Sequence, residues 1–252
     1  MPVATFIVNG SLVDFLPAPL RGQPIGHQFS GQPGIKDVIE ALGIPHPEVD
    51  LILVNGVPAG FDKRLHDGDR VSVYPSGLGP AVPASARVGP PLLQEPRFVV
   101  DGHLGRLAAY LRMLGFDTWY RNHADDGELA RRSAQDDRIL LTRDRGLLKR
   151  SVVVRGAFVR ADRPREQLAE IGRRFDLGPK ARPFTRCIRC NGVLSPAGRD
   201  DVRGRVPPYT FRTHAEYGVC HHCGSVYWKG THHERMSRLI AATLDIPVEA
   251  AG

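Results

Sequence analysis

The stretch RFVVDGHLGRLAAYLRMLGFDTWY (97–120) decides the fold. It opens on a short apolar run, Phe98 to Val100, that stops at Asp101. Leu104, Leu107, Ala108, Leu111 and Leu114 follow at i, i+3, i+4, i+7 and i+10, which draws one apolar stripe along a helix. Gly115 supplies the residue at which such a helix stops, and FDTWY (116–120) reads as a second strand. The order then repeats. DDGELARRSAQ (125–135) reads as a helix with three acids in its first turn, where the helix dipole favours negative charge. RILLT (138–142) reads as a third strand and VVV (152–154) as a fourth. Strands alternating with helices predict a parallel sheet with helices on its faces.

Open α/β sheets gather their sites at the carboxyl ends of strands, and right-handed crossovers bring those ends to one edge. Asp101 ends the first strand, Asp144 lies just past the third, and Asp125 and Asp126 open the helix between them. Converging carboxylates repel unless a cation or proton intervenes, and hard oxygen ligands suit Mg²⁺ or Mn²⁺. An ion held this way activates water and shields a phosphate under attack. Arg106, Arg143, Arg145, Lys149 and Arg150 lie close by in sequence, with the charge to hold a polyanion by its phosphates. The acids also have a plainer reading. Asp101 before Gly102, and Asp144 before segment 145–149, fit helix caps, while Asp125 and Asp126 fit an ordinary first turn. Spacing alone leaves both readings open.

All four cysteines fall in two pairs, Cys187-Ile-Arg-Cys190 and Cys220-His-His-Cys223, with 29 residues between them. A two-residue spacer lets both thiolates of a pair reach one ion, so the pattern predicts a closed, structural Cys₄ zinc site. Asn191-Gly192 and Gly224 follow the knuckles at the tight turns. His214, His221, His222, His232 and His233 lie nearby as surface groups, or as nucleic-acid contacts beside Tyr227, Trp228 and Lys229. Packing under a knuckle is the stronger expectation for Trp228. HHERMSRLIAATL (232–244) reads as a closing helix with Met236, Leu239, Ile240 and Leu244 on one side.

Upstream, PAVPASARVGPPLLQEP (80–96) is proline-rich and reads as an extended linker. Before it, FIVNG (6–10) and LILVNG (51–56) are apolar runs closed by Asn-Gly. IKDVIEALG (35–43) is helical in spacing, and DGDRVSVYP (67–75) is a turn followed by an alternating strand. The order hairpin, helix, strand, strand resembles a β-grasp, ubiquitin-like domain, close to small sulfur-carrier proteins. Those carriers end in a free Gly-Gly tail, whereas here PSGLGP (75–80) runs on into the linker, which favours a binding or scaffolding role.

The formal charge of +7 is unevenly spread: residues 1–80 carry net −3, 97–182 net +7 and 183–252 net +3. A basic rear on an acidic front points to a polyanion met by one part only. No apolar run approaches the ~20 residues that span a bilayer. The N-terminus lacks the basic and long apolar regions of a secretory signal, so the expected location is the cytoplasm.

The segments FVVDGHLGRLAAYLRMLGFDTWY, DDGELARRSAQDDRILLTRDRGLL, CIRCNGVL and VCHHCGSVYWKGTHHERM, in that order, resemble the Mut-seven C-terminal RNase family over about residues 97–240. That family is a PIN-like nuclease fold with a zinc ribbon appended, and a ubiquitin-like domain precedes it in bacterial members. The resemblance implies an acidic Mg²⁺ or Mn²⁺ site that cuts RNA. It makes Asp101 (VVD) and Asp144 (TRD) the principal ligands and Asp126 (DDGEL) the third, with Asp125 competing; Asp162 (RAD) is a weaker match for a fourth acid. The expected architecture is a β-grasp domain (1–79), linker (80–96), PIN-like parallel-sheet α/β domain (97–182) and Cys₄ zinc ribbon with a C-terminal helix (183–252). The expected function is metal-dependent hydrolysis of RNA phosphodiester bonds. The rival is a non-catalytic RNA-binding or adaptor protein, with protein partners met through the ubiquitin-like domain.

Overall fold

The computed structural model describes residues 1–244. In chain order the elements are β1 (Val3–Val8), β2 (Ile25–Gln28), α1 (Ile35–Ala41), β3 (Leu51–Val54), β4 (Val57–Pro58) and β5 (Arg70–Tyr74). Next come β6 (Phe98–Val100), α2 (Gly105–Met113), β7 (Thr118–Tyr120), α3 (Asp126–Gln135), β8 (Ile139–Thr142), α4 (Arg145–Leu148) and β9 (Gly156–Phe158). The rest are α5 (Pro164–Arg174), β10 (Leu194–Ala197), α6 (Pro208–Thr213), β11 (Tyr217–Cys220), β12 (Val226–Trp228) and α7 (Thr231–Leu244). Contacts divide the chain into two compact units, Met1–Leu92 with Asp126–Phe158, and Leu93–Asp125 with Val159 onward. The α/β segment contributes elements to both units.

In the first unit, five strands form a mixed sheet in the order β2-β1-β5-β3-β4. β1 runs antiparallel to β2 and parallel to β5, which places chain ends from opposite sides of the domain side by side, the β-grasp arrangement. Ala4 and Phe6 alternate inward from β1, Val71 and Val73 from β5. They meet Ile35, Val38 and Ile39, the buried stripe of α1, in one core. Asn55 (φ 52) and Gly56 (φ 84) both take the left-handed conformation a two-residue hairpin turn requires, so the second Asn-Gly links β3 to β4 as expected. A Cβ on Gly79 (φ 103) would lie 3.1 Å from the Tyr74 ring and 3.3 Å from Leu51, so the segment matching a carrier tail is folded onto its own domain. The first part of the proline-rich stretch is also tied down: the amides of Val88 and Gly89 donate to the Asp50 carbonyl and Arg87 pairs with the Asp50 carboxylate.

The same unit contains α3, β8, α4 and β9. β8 and β9 pair in parallel, Leu140 opposite Gly156 and Thr142 opposite Phe158. All of β8 is buried, as a parallel strand covered on both faces must be. One sequence expectation fails here. Val152–Val154 is not a strand: Val153 is buried while Val152 and Val154 are exposed, and the strand is Gly156–Phe158. Gly156 explains the shift. A Cβ there would lie 2.6 Å from Leu148 Cδ2, so glycine lets this strand lie close to α4 without displacing that side chain.

In the second unit, β6 and β7 pair in parallel, Phe98 opposite Thr118 and Val100 opposite Tyr120, with α2 between them in sequence. α2 packs on α5, and α5 on α7. Phe98 meets Phe116 edge-on (5.9 Å, 89°) and Phe175 (6.2 Å, 69°). The three-stranded antiparallel sheet β10-β11-β12 covers a small core of Val202, Tyr217 and Val219, against which Trp228 packs. α7 carries the closing helix, with Leu239 and Ile240 buried; the side chain of Leu244 lies outside the described residues.

Candidate functional site

The four cysteines close into one cluster in the second unit. Their sulfurs all lie within 4.8 Å of one another, with Cys187–Cys223 at 3.5 Å and Cys190–Cys220 at 3.4 Å. A zinc ion with Zn–S bonds of ~2.3 Å would set its sulfurs about 3.8 Å apart, so the cage fits the ion. Backbone hydrogen bonds shape each knuckle: Asn191 N donates to Cys187 O (2.9 Å) and Gly224 N to Cys220 O (2.8 Å). Asn191 (φ 71) and Gly224 (φ 74) take the left-handed turn that each knuckle needs. Hydrogen bonds from Ser225 hold the Cys223 thiol down at about 6, while burial pushes Cys190 up to about 12. Burial works against ionising Cys187, yet the Tyr227 hydroxyl at 3.1 Å from its sulfur helps bring it below the ordinary thiol value. A bound cation would draw all four to thiolate.

Arg112 ties this knuckle to the α/β elements of its unit. It is buried on α2, with Nε donating to Thr118 O (2.9 Å) and Nη1 to Ile188 O (3.2 Å) and Arg189 O (2.9 Å). Burial lowers its pKa, and the Cys190 and Cys187 thiolates oppose that shift. Asn191 completes the seam: its Oδ1 accepts from Thr118 N (2.9 Å) and its Nδ2 donates to Asp117 Oδ1 (2.8 Å). Sequence reasoning named neither role. The available signal was an arginine flanking the apolar stripe of α2, one helical turn after Ala108.

The sequence-expected acids divide between the units. Asp101 and Asp125 belong to the second, Asp126 and Asp144 to the first. Asp101 sits just past β6, its carbonyl accepting from Leu104 N (2.9 Å), and its side chain makes no cap hydrogen bond. The turn after it is tightly fitted: a Cβ on Gly102 would lie 2.6 Å from Asn122 O, and the Tyr120 hydroxyl donates to Gly102 O (3.0 Å). Asp144 does cap: Oδ1 accepts from Gly146 N (2.6 Å) and Leu147 N (3.3 Å), and its own amide donates to Thr142 Oγ1 (2.9 Å). Among the described residues its Oδ2 has no hydrogen-bond partner, and the residue is exposed. Asp126 opens α3 and faces Arg150 at 3.7 Å. Asp125 is exposed immediately before it, and Asp162 follows β9.

The basic candidates differ from one another. Arg106 in the first turn of α2 and Arg143 after β8 are exposed. Arg145 and Lys149 donate to carbonyls of the β-grasp elements: Arg145 Nη1 to Phe15 O (3.0 Å) and Lys149 Nζ to Glu40 O (2.6 Å). In the ribbon, Trp228 packs as a core residue, Tyr227 turns to Cys187, and His214 Nε2 meets Lys229 O (3.0 Å). The Phe184 and His233 rings meet at 4.0 Å, tilted by 35°, beside a groove of about 1060 Å³ that Tyr227 and Trp228 also line.

Two family models match this chain: the Mut7-C RNAse domain over residues 96–240 and the Mut7-C ubiquitin domain over residues 1–78. The first covers more than half of the sequence, and the protein belongs to the Mut7-C RNAse domain family. Neither a curated protein nor a solved structure gave a match. No helix among the described residues is long and apolar enough to cross a membrane.

Proposed function

We propose that the protein is a metal-dependent ribonuclease that hydrolyses RNA phosphodiester bonds. Membership of an RNAse-domain family is the observation that carries this reading. In it, the carboxylates of Asp101, Asp126 and Asp144 hold Mg²⁺ or Mn²⁺, with Asp125 the competing third ligand. The ion, when bound, supplies an activated water and offsets charge on the phosphate. The exposed arginines Arg106 and Arg143, with Arg150 beside Asp126, engage the backbone through forked N–H donors. Asp144 Oδ2 supports the assignment, because a carboxylate can cap a helix with one oxygen and ligate with the other. The four cysteines bind zinc, which fixes the ribbon and its aromatic groove as an extension of the RNA surface. Four cysteines gathered for a metal as free thiols suit the reducing cytoplasm.

A second reading keeps RNA binding without cleavage. It draws on Asp144 Oδ1, which is already committed to Gly146 and Leu147. Incubating the zinc-loaded protein with single-stranded RNA and Mn²⁺ separates the two. The enzyme reading expects cleavage that Asp144→Asn reduces at least ~100-fold, the scale of losing one group that stabilises developing charge. Asparagine still caps the helix, so the loss would report the missing charge and not a broken turn. RNA bound but left intact in any divalent metal would establish the second reading.

A further inference from the structure

We propose that the ubiquitin-like module is a fixed brace for α4, the helix that Asp144 caps, with Arg145 and Lys149 acting as positioning residues rather than RNA contacts. Four attachments between the ubiquitin-like module and the segment from α4 to β9, all within the first unit, carry the inference. The Arg145 guanidinium donates to Phe15 O at 3.0 Å and lies over two rings, Phe15 at 5.1 Å and Phe158 at 5.7 Å. Those rings, one from each module, meet edge-on at 5.5 Å and 77°. Lys149 Nζ donates to Glu40 O at 2.6 Å, a carbonyl in the last turn of α1 that also accepts from Gly43 N (3.0 Å), at the helix end whose dipole attracts a cation. His46 Nε2 meets Val153 O at 2.8 Å in the turn that leaves α4. The amide of Phe158 donates to Glu48 Oε1 at 2.6 Å, and Glu48 is only 2% exposed. Outside that module, Arg155 Nη1 also reaches Pro91 O of the proline-rich stretch at 2.6 Å.

The chemistry of these contacts separates bracing from a chance apposition. All four use a main-chain carbonyl or amide of one partner and a side chain of the other, so each fixes a side chain of one element to the backbone of the other. Phe158 also packs against the hydrophobic core of the β-grasp domain. Both ends of the segment that follows Asp144 are thereby held: Arg145 and Lys149 on α4, Phe158 on β9. The β-grasp face bearing Phe15, Glu40, His46 and Glu48 is consequently a docking surface for this chain's own α4 and β9. A cation held on a main-chain carbonyl is a poorer phosphate clamp, because it must break that part-buried hydrogen bond to turn to RNA.

The test uses the full chain and three variants, Lys149→Met, Arg145→Met and Phe15→Leu, with Lys149→Arg as the conservative control. Hydrogen exchange is read at the Gly146 and Leu147 amides, and RNA affinity is read against salt without added divalent metal. The brace predicts exchange accelerated at least ~10-fold in all three variants and restored by Lys149→Arg. It predicts RNA affinity and its salt slope unchanged. Phe15→Leu with Arg145→Met should accelerate exchange by less than the product of the single effects, since the two share one contact. Weaker RNA binding with a salt slope reduced by about one per cation removed, and exchange unaltered, would overturn the proposal. Only its activity arm rests on the nuclease reading: there kcat should fall while KM holds. An inactive wild-type protein would defeat that reading and leave the exchange result to decide the brace.

Discussion

The cysteine cluster and the aspartates proposed as metal ligands differ in how the fold holds them. The four sulfurs lie within 4.8 Å of one another and are fixed by knuckle turns, so the ligand cage is part of the fold. The aspartates are placed by local backbone tasks: Asp144 caps α4, Asp126 opens α3, and Asp101 ends β6 inside a turn that admits only glycine beside it. The difference teaches that a metal held by the cysteines would act as a structural staple, one whose loss should propagate through its unit. The proposed hard site would draw on residues whose fold contributions are small and separable.

The largest expected effect sharpens that contrast. Zinc stripped by a chelator, or a Cys190→Ser substitution, should unfold the ribbon and loosen β7, which Arg112 and Asn191 attach to the first knuckle. Structural zinc contributes on the order of 10–16 kcal/mol in small domains, comparable to the whole stability of an ordinary domain. Elemental analysis should find a single zinc per chain, and near-ultraviolet dichroism from Trp228 should collapse on its removal. A ribbon that stays folded without zinc would break the comparison.

Next in size is Arg112→Met. It strands the carbonyls of Thr118, Ile188 and Arg189 and should cost about 3 kcal/mol, read as a lowered urea midpoint. Arg106→Met, on the exposed side of the same helix, should stay within about 0.5 kcal/mol of the parent. Smaller again is Asp144→Ala, which removes the cap of a four-residue helix and should cost about 1 kcal/mol, whereas Asp144→Asn should cost almost nothing. Equal losses from both substitutions would mean that the carboxylate charge, not the cap, holds α4.

The smallest effect is a pH dependence. Burial lowers the pKa of His46, helped by Lys36 and opposed by its hydrogen bonds to Glu40 and Val153. A depressed imidazole pKa means that the unfolded chain takes up the proton first. This contribution to stability is therefore complete above the ordinary value of about 6.5 and is lost as pH falls through the folded-state pKa. The urea midpoint of the first unit should fall between about pH 7.5 and about pH 5.5, and His46→Gln should flatten that decline.

What the sequence revealed follows from the range of the interactions involved. The cysteine pairs were legible because two thiolates three residues apart reach one ion by local geometry alone. FVVD and ILLTRD were legible because apolar runs ending in a carboxylate mark strand ends. Val152–Val154 misled because β-propensity favours valine and disfavours Gly156, whose fit against Leu148 only the packed structure reveals. Arg145 and Lys149 carried the right charge for RNA but had distant main-chain partners, Phe15 and Glu40, which no local pattern announces. Arg112 was hidden for the same reason, since its acceptors on Ile188 and Arg189 lie more than 70 residues away.

Electron paramagnetic resonance of Mn²⁺ titrated into the zinc-loaded protein tests the central assignment most directly, because it reads the hard cation without requiring turnover. The account predicts tight Mn²⁺ binding that both Asp101→Asn and Asp144→Asn abolish while zinc content stays constant. Mn²⁺ binding that is unchanged in both variants would contradict it.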